Sequence, residues 1–213
     1  MKIAIIGATG FVGSTILNEL ASRNHDITAI ARTPNDTKNV KWVKADIFNI
    51  DSLAETLKGN DVIINAYNPG WTNPNYTDDF KNGSKAIQEA AKKSGVKRFI
   101  TIGGGGSLFV APGVQAVDTP DFPKEYHDAA SAARDYLNVI KEEKDLDWAF
   151  FSPAFEMHAG ITTGRTGRYR LGLENPVFND EQRSILSVED LAVVIADETE
   201  TPKHHQVRFT AGY

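Results

Sequence analysis

Three glycines in Gly7-Ala8-Thr9-Gly10-Phe11-Val12-Gly13, each three residues from the next, follow the apolar run Ile3-Ala4-Ile5-Ile6 and open a segment of helical period. A strand that turns tightly into a helix leaves unpaired N–H groups at the helix N-terminus, and such groups bind phosphate. Gly7 is expected to permit the turn, Gly10 to let the backbone approach a pyrophosphate, and Gly13 to let the helix pack closely on the strand. With Thr9, Phe11 and Val12 they form the candidate cofactor-binding turn. A site that prefers NAD carries an acid at the end of its second strand to hold the ribose 2′-hydroxyl. Here that place falls on Ala31, and the next residue is Arg32. A guanidinium there favours a 2′-phosphate by about 1.5–3 kcal/mol, so NADP(H) is expected in preference to NAD(H). Thr33 and Lys38 are placed to assist it; the competing reading is a solvated loop arginine.

The elements that must hold this turn are legible as an alternation. Short β-branched runs at 2–6, 26–31, 40–44, 61–66, 98–102 and 147–151 read as strands, and segments 12–23, 52–58, 76–94 and 124–143 between them have helical period. Val12, Ile16, Leu17 and Leu20 mark the buried stripe of the first helix. Gly95 ends the third helix and Pro123 precedes the fourth. Ser187 caps a last helix whose first turn is acidic, before a final strand at 206–210. The order predicts an α/β fold: a Rossmann-type, doubly wound parallel sheet with helices on both faces. After Pro153 the pattern loosens, so residues 1–213 read as one domain in which 153–185 form most of a small C-terminal substrate lobe.

Composition narrows the function. Lys and Arg number 23 against 28 Asp and Glu, a formal net charge of −5 that argues against a nucleic-acid groove. With no cysteine, the chain can hold no disulfide, catalytic thiol or thiolate zinc site, which is compatible with a cytoplasmic location. Residues 99–117 carry no charge, but Gly103 to Gly106 and Pro112 would break a membrane helix there, so strand then loop is expected.

The turn resembles that of the short-chain dehydrogenase/reductase superfamily in its atypical and extended forms. Asp46-Ile47, Asp61-Val62-Ile63-Ile64-Asn65-Ala66, Gly95-Val96-Lys97-Arg98-Phe99-Ile100 and Leu146-Asp147-Trp148 into Ser152-Pro153 are similar to its NmrA-like and biliverdin-reductase-B-like branch. Gly103 to Leu108, Gly164 to Leu171 and Arg208-Phe209-Thr210-Ala211-Gly212-Tyr213 resemble the group within it named for an inferred NADH-flavin reductase activity. The likeness spans essentially the whole chain. It implies that Asp46 and Ile47 border the adenine and that Ala66 and Tyr67 line ribose and pyrophosphate. Thr101, Ile102 and Gly103 would approach the nicotinamide, and Pro153 joins the cofactor set.

Many members of that superfamily use a Tyr as acid, with a Lys four residues later on the same helix face. None of the six tyrosines has one: Tyr67, Tyr76, Tyr126, Tyr136 and Tyr169 are followed at that spacing by Trp71, Phe80, Ala130, Ile140 and Leu173, and Tyr213 is the last residue. Hydride transfer to a flavin or quinone needs less, because the acceptor carries the electron chemistry. The expected function is therefore an NAD(P)H-dependent reductase acting on a flavin, quinone or similar acceptor, with FMN, FAD or riboflavin as candidate substrates. A non-catalytic NAD(P)-binding redox sensor, acting through a protein partner, is the alternative, and an NAD-dependent epimerase or dehydratase is a third. Neither nucleic acid nor membrane is an expected partner.

Candidate catalytic groups are Ser107, where the superfamily often keeps a hydroxyl, Tyr126, and His158. Tyr126 reads either as a proton donor or as an aromatic wall, and His158 either as a donor or as a surface histidine. Gly103 to Gly106 would either admit a planar ligand or confer flexibility. Trp71, Phe109 and Phe155 are stacking candidates, and Arg165, Arg168 and Arg170 a basic run that either meets a flavin phosphate or lies on a solvated face. His204 and His205, being adjacent, make a poor metal pair, so no metal is expected.

Overall fold

A computed structural model describes residues 1–37 and 40–213; Lys38, a candidate helper of Arg32, lies outside them. The chain forms β1 (Lys2–Ile6), α1 (Phe11–Ser22), β2 (Asp26–Ala31), β3 (Lys41–Lys44), α2 (Ile50–Leu57), β4 (Val62–Asn65), α3 (Tyr76–Ser94) and β5 (Arg98–Ile102). A hairpin of β6 (Phe109–Ala111) and β7 (Val114–Gln115) follows. Then come α4 (Lys124–Ile140), β8 (Asp147–Ser152), β9 (Arg170–Gly172), α5 (Val188–Glu200) and β10 (Val207–Gly212). The main sheet runs β3-β2-β1-β4-β5-β8-β10-β9; its first seven strands are parallel and only β9 is antiparallel to its neighbour. This is the doubly wound order, and its direction reverses between β1 and β4.

Strand alternation divides the apolar residues between two cores. Ile3 and Ile5 point to the side where α1 and α5 pack, with Leu17, Leu191 and Phe209. Ala4 and Ile6 point to the side of α2, α3 and α4, with Leu53, Ile87 and Leu137. Because both faces are covered, β1 and β4 carry consecutive apolar residues, Ile3 to Ile6 and Val62 to Ile64. Gly95 ends α3 in the left-handed conformation, with φ 81°, and Ser187 caps α5 by accepting the Asp190 N–H at 3.0 Å. α4 stops at Ile140 rather than at 143, because the chain turns there: the Glu143 carbonyl accepts Trp148 Nε1–H at 3.2 Å and its carboxylate accepts the Asp145 N–H at 2.7 Å. The uncharged stretch 99–117 divides into β5, a short helical turn and the hairpin, and among the described residues no helix is long and apolar enough to cross a membrane.

The looser segment after Pro153 packs back on the sheet and its helices. Its strand β9 extends the main sheet, and residues 164–169 lie on α1 and α5. Buried Asp190 accepts the N–H groups of Thr166 and Gly167 at 2.9 and 2.7 Å and the hydroxyl of Tyr213 at 2.7 Å. Arg165 clamps Glu19 with two hydrogen bonds of 2.7 and 2.9 Å, and Arg23 donates to the same carboxylate. These bonds, Arg165's foremost, hold the Glu19 carboxyl at about 2, against an ordinary value of 4.5.

A carboxyl whose pKa is lowered by folding adds stability that is complete above its unfolded value and is lost as pH falls toward the folded one. Between about 4.5 and 2, stability should therefore fall less steeply in Glu19→Gln than in the parent chain when denaturant unfolding is followed by circular dichroism. Equal slopes would show that the clamp contributes nothing.

Candidate functional site

Three backbone segments meet where β1 ends. Gly7 has φ +79°, and a Cβ on it would lie 2.5 Å from the Ala66 carbonyl oxygen at the end of β4. A Cβ on Gly13 would lie 2.2 Å from the Gly7 carbonyl oxygen. Neither position can hold a side chain, so α1 starts hard against the carboxyl edge of the sheet. Gly10 precedes the first residue of α1, with no side-chain cap and no acid in the first turn. An uncapped helix start without a carboxylate suits an anion, so the residues present fit a dinucleotide pyrophosphate. Thr9, Gly10 and Phe11 are exposed there and Val12 half-buried.

The structure places the remaining candidates unevenly. Arg32 is exposed directly after β2, and its charge acts on the Tyr67 hydroxyl. Asp46 is exposed and forms a tight turn by accepting the Phe48 N–H at 3.0 Å, with Ile47 half-buried beside it. Ala66 borders Gly7, while Tyr67 turns toward α3: its hydroxyl donates to the Asp79 carbonyl at 3.2 Å, and its ring fills the space above Gly83. Burial raises its pKa, with Asp79 adding to the effect and Arg32 opposing it.

Thr101 is buried at the end of β5 and accepts Asn65 Nδ2–H at 3.1 Å, while Asn65 Oδ1 accepts the Tyr67 N–H at 3.0 Å. Asn65 therefore pins the ends of β4 and β5 together beside the crevice. Its signal in the sequence is a polar residue closing the wholly apolar run Val62-Ile63-Ile64. Ile102 and Gly103 are half-buried and Pro153 is buried.

Gly103 to Gly106 pack closely against other parts of the chain. The space beside them belongs to protein: a Cβ on Gly103 would meet Phe150 Cζ at 1.9 Å, on Gly104 the Ala133 Cβ at 3.1 Å, on Gly105 the Pro153 carbonyl oxygen at 2.5 Å, and on Gly106 the Ala130 Cβ at 2.7 Å. Ser107 is buried in the same turn. Its hydroxyl donates to the Gly104 carbonyl at 3.2 Å and accepts from the Arg208 guanidinium at 3.2 Å, and Arg208 also bonds its carbonyl and pairs with Glu174. Phe109 is the ring over which Arg208 lies, 5.5 Å from its centroid.

The basic run disperses as well. Glu19, which Arg165 grips, is eight residues into α1 from Phe11, about 12 Å along the axis from the phosphate-binding end. Arg170 donates to the carbonyls of Phe178 and Tyr213, and Arg168 stays exposed. His158 is exposed and its Nδ1 accepts the Gly160 N–H at 3.1 Å; Phe155 packs edge-on against Phe178. His204 and His205 face different carboxylates, Glu198 and Asp147.

Tyr126 and Trp71 come together. Tyr126, in the first turn of α4, meets the ring of Trp71 from the β4–α3 loop at 6.4 Å and 80°, and Trp71 stacks on Tyr76 at 5.4 Å and 19°. Tyr76 stacks on Phe80 and Phe80 on Tyr67, so a continuous aromatic column runs from the end of β4 to the start of α4. Burial pushes the Tyr76 hydroxyl up to about 12.

The packing account of the glycine run predicts that Gly103→Ala destabilises the chain by about 1–3 kcal/mol, and that Phe150→Leu in the same chain restores part of the loss in thermal unfolding. A neutral Gly103→Ala would show that the Phe150 ring does not occupy that space.

Comparison with known proteins agrees with this geometry. A family model described as NAD(P)H-binding matches residues 7–202. The uncharacterized protein YwnB of Bacillus subtilis is 36% identical over 99% of this chain and 97% of its own. A solved structure from Bacteroides thetaiotaomicron, named for an inferred epimerase activity, superposes with TM-score 0.90 at 43% identity over 100% of this chain and 96% of that one. Another from Streptococcus pneumoniae, named for an inferred NADH-flavin reductase activity, has TM-score 0.88 at 31% identity over 100% and 99%. A glycine turn without room for side chains, a doubly wound sheet and a match along nearly the whole chain together make this protein a member of the NAD(P)H-binding family, of the atypical short-chain dehydrogenase/reductase type.

Proposed function

We propose that the protein is an NAD(P)H-dependent reductase, with a preference for NADPH, that passes hydride to a flavin, quinone or similar conjugated acceptor. The observation that carries this reading is a glycine turn and uncapped helix start fit for a dinucleotide, in a chain where no tyrosine has a lysine four residues later. A bound nicotinamide supplies the hydride. The protein's part is to bind and orient. The start of α1 and the Gly7–Gly13 turn hold the pyrophosphate, Arg32 reads the ribose 2′ position, and Asn65 with Thr101 fixes the strand ends bordering the nicotinamide. Likeness to the Streptococcus pneumoniae structure supports a flavin among the acceptors.

A second reading, an NAD(P)-binding sensor without turnover, is favoured by one observation: the Ser107 hydroxyl is enclosed by Gly104 and Arg208 and has no open path to a substrate. The two readings separate in the initial rate of NADPH oxidation by purified protein, with and without FMN or riboflavin, after subtraction of the protein-free rate. Saturable, acceptor-dependent turnover is expected. Stoichiometric NADPH binding without turnover would overturn the reductase and support the sensor.

Cofactor preference has its own test. Arg32→Ala should weaken NADPH binding by roughly tenfold to a hundredfold and leave NADH binding nearly unchanged, as read by calorimetric titration. Equal weakening of both would remove the 2′-phosphate role from Arg32.

A further inference from the structure

Trp71 is 69% exposed and Tyr126 54%, although each is an aromatic residue whose burial would stabilise the fold. Both belong, with Tyr76, to the carboxyl edge of the sheet: Trp71 follows β4, Tyr76 opens α3 and Tyr126 lies in the first turn of α4. Ligands of such sheets bind along that edge.

The platform is braced by the protein's own side chains. Tyr76 supports Trp71 by a near-parallel stack, and Tyr76 in turn rests on Phe80, which is buried on α3. Asn68 donates to the Tyr76 hydroxyl at 2.9 Å and accepts the Gly70 N–H at 2.8 Å. Asn73 accepts the Asn75 N–H at 2.9 Å and donates to the Asp79 carboxylate at 2.8 Å. The loop that carries Trp71 is thus tied at both ends by asparagine side chains. An exposed aromatic surface already held in one conformation binds a flat π-system with little further loss of entropy. The other two aromatic candidates offer less, because Phe109 is taken up by Arg208 and Phe155 by Phe178.

We infer that Trp71 and Tyr126 form the acceptor-binding wall, in which the isoalloxazine of a flavin stacks on Trp71 and meets Tyr126, set at 80° to that ring, at its edge, with Tyr76 as the support that positions Trp71. This rests on the reductase reading for the identity of the ligand, but its test is an equilibrium measurement that needs no turnover.

Riboflavin is titrated with protein saturated in NADP⁺, and the quenching of riboflavin fluorescence is followed for the parent chain and for Trp71→Ala, Trp71→Phe and Tyr126→Ala. NADPH affinity is measured for each as a check on folding and on the cofactor site. Trp71→Ala is expected to weaken riboflavin binding by roughly fivefold to a hundredfold, the loss expected when stacking on one ring is removed. Tyr126→Ala should weaken it less, Trp71→Phe should retain most of it, and NADPH affinity should be unchanged throughout. Parent-like riboflavin binding in both alanine variants would overturn the wall and leave the reductase reading standing. Absence of riboflavin binding by the parent chain would overturn the wall together with the flavin reading.

Discussion

The site depends on one steric constraint: at the end of β1 there is no room for a side chain. The Ala66 carbonyl occupies the place of a Gly7 Cβ, and the Gly7 carbonyl occupies that of Gly13. Gly7 is also left-handed, a conformation that an L side chain resists. Because these approaches are possible, α1 begins immediately beyond the strand and points its uncapped N-terminus along the crevice between β1 and β4. The location of the phosphate site, and of everything that borders it, follows from that contact.

From the same topology comes the arrangement of aromatic rings. In a doubly wound sheet every helix that follows a strand begins at the carboxyl edge, so the first turns of α3 and α4 are brought side by side. Tyr76 and Tyr126, fifty residues apart in the chain, thereby become neighbours across Trp71. Stacking down through Phe80 to Tyr67 anchors an exposed pair of rings to the buried end of β4.

Away from the crevice, polar groups hold the less regular half of the chain in place. Asp190 gathers the N–H groups of Thr166 and Gly167, the Thr166 hydroxyl and the Tyr213 hydroxyl around the start of α5. Arg208 joins Ser107 to Glu174, and Arg98, with Glu198 and His204, forms a buried ionic cluster. Removing one partner from such a cluster leaves an uncompensated buried charge. Arg165, Arg170 and Arg208, which by type alone suit a ligand phosphate, are committed to the protein's own carboxylates and carbonyls.

What the sequence by itself determined was everything set by local spacing and backbone geometry. Strand alternation in Ile3 to Ile6, the helical stripe of α1, the Ser187 cap, the Gly95 stop and the glycine turn each depend on neighbours within a few residues. The parallel sheet and the dinucleotide site follow from their order. Tertiary structure alone decided the fate of groups whose partners lie far along the chain. Gly103 yields its space to Phe150, Ser107 gives its hydroxyl to Arg208, Arg165 reaches back to Glu19, and Trp71 finds Tyr126. Residue type reveals that a glycine can be approached closely, or that an arginine will seek an anion. Whether the approaching group is a ligand or another part of the chain is settled only by packing, because the same contact energies serve both.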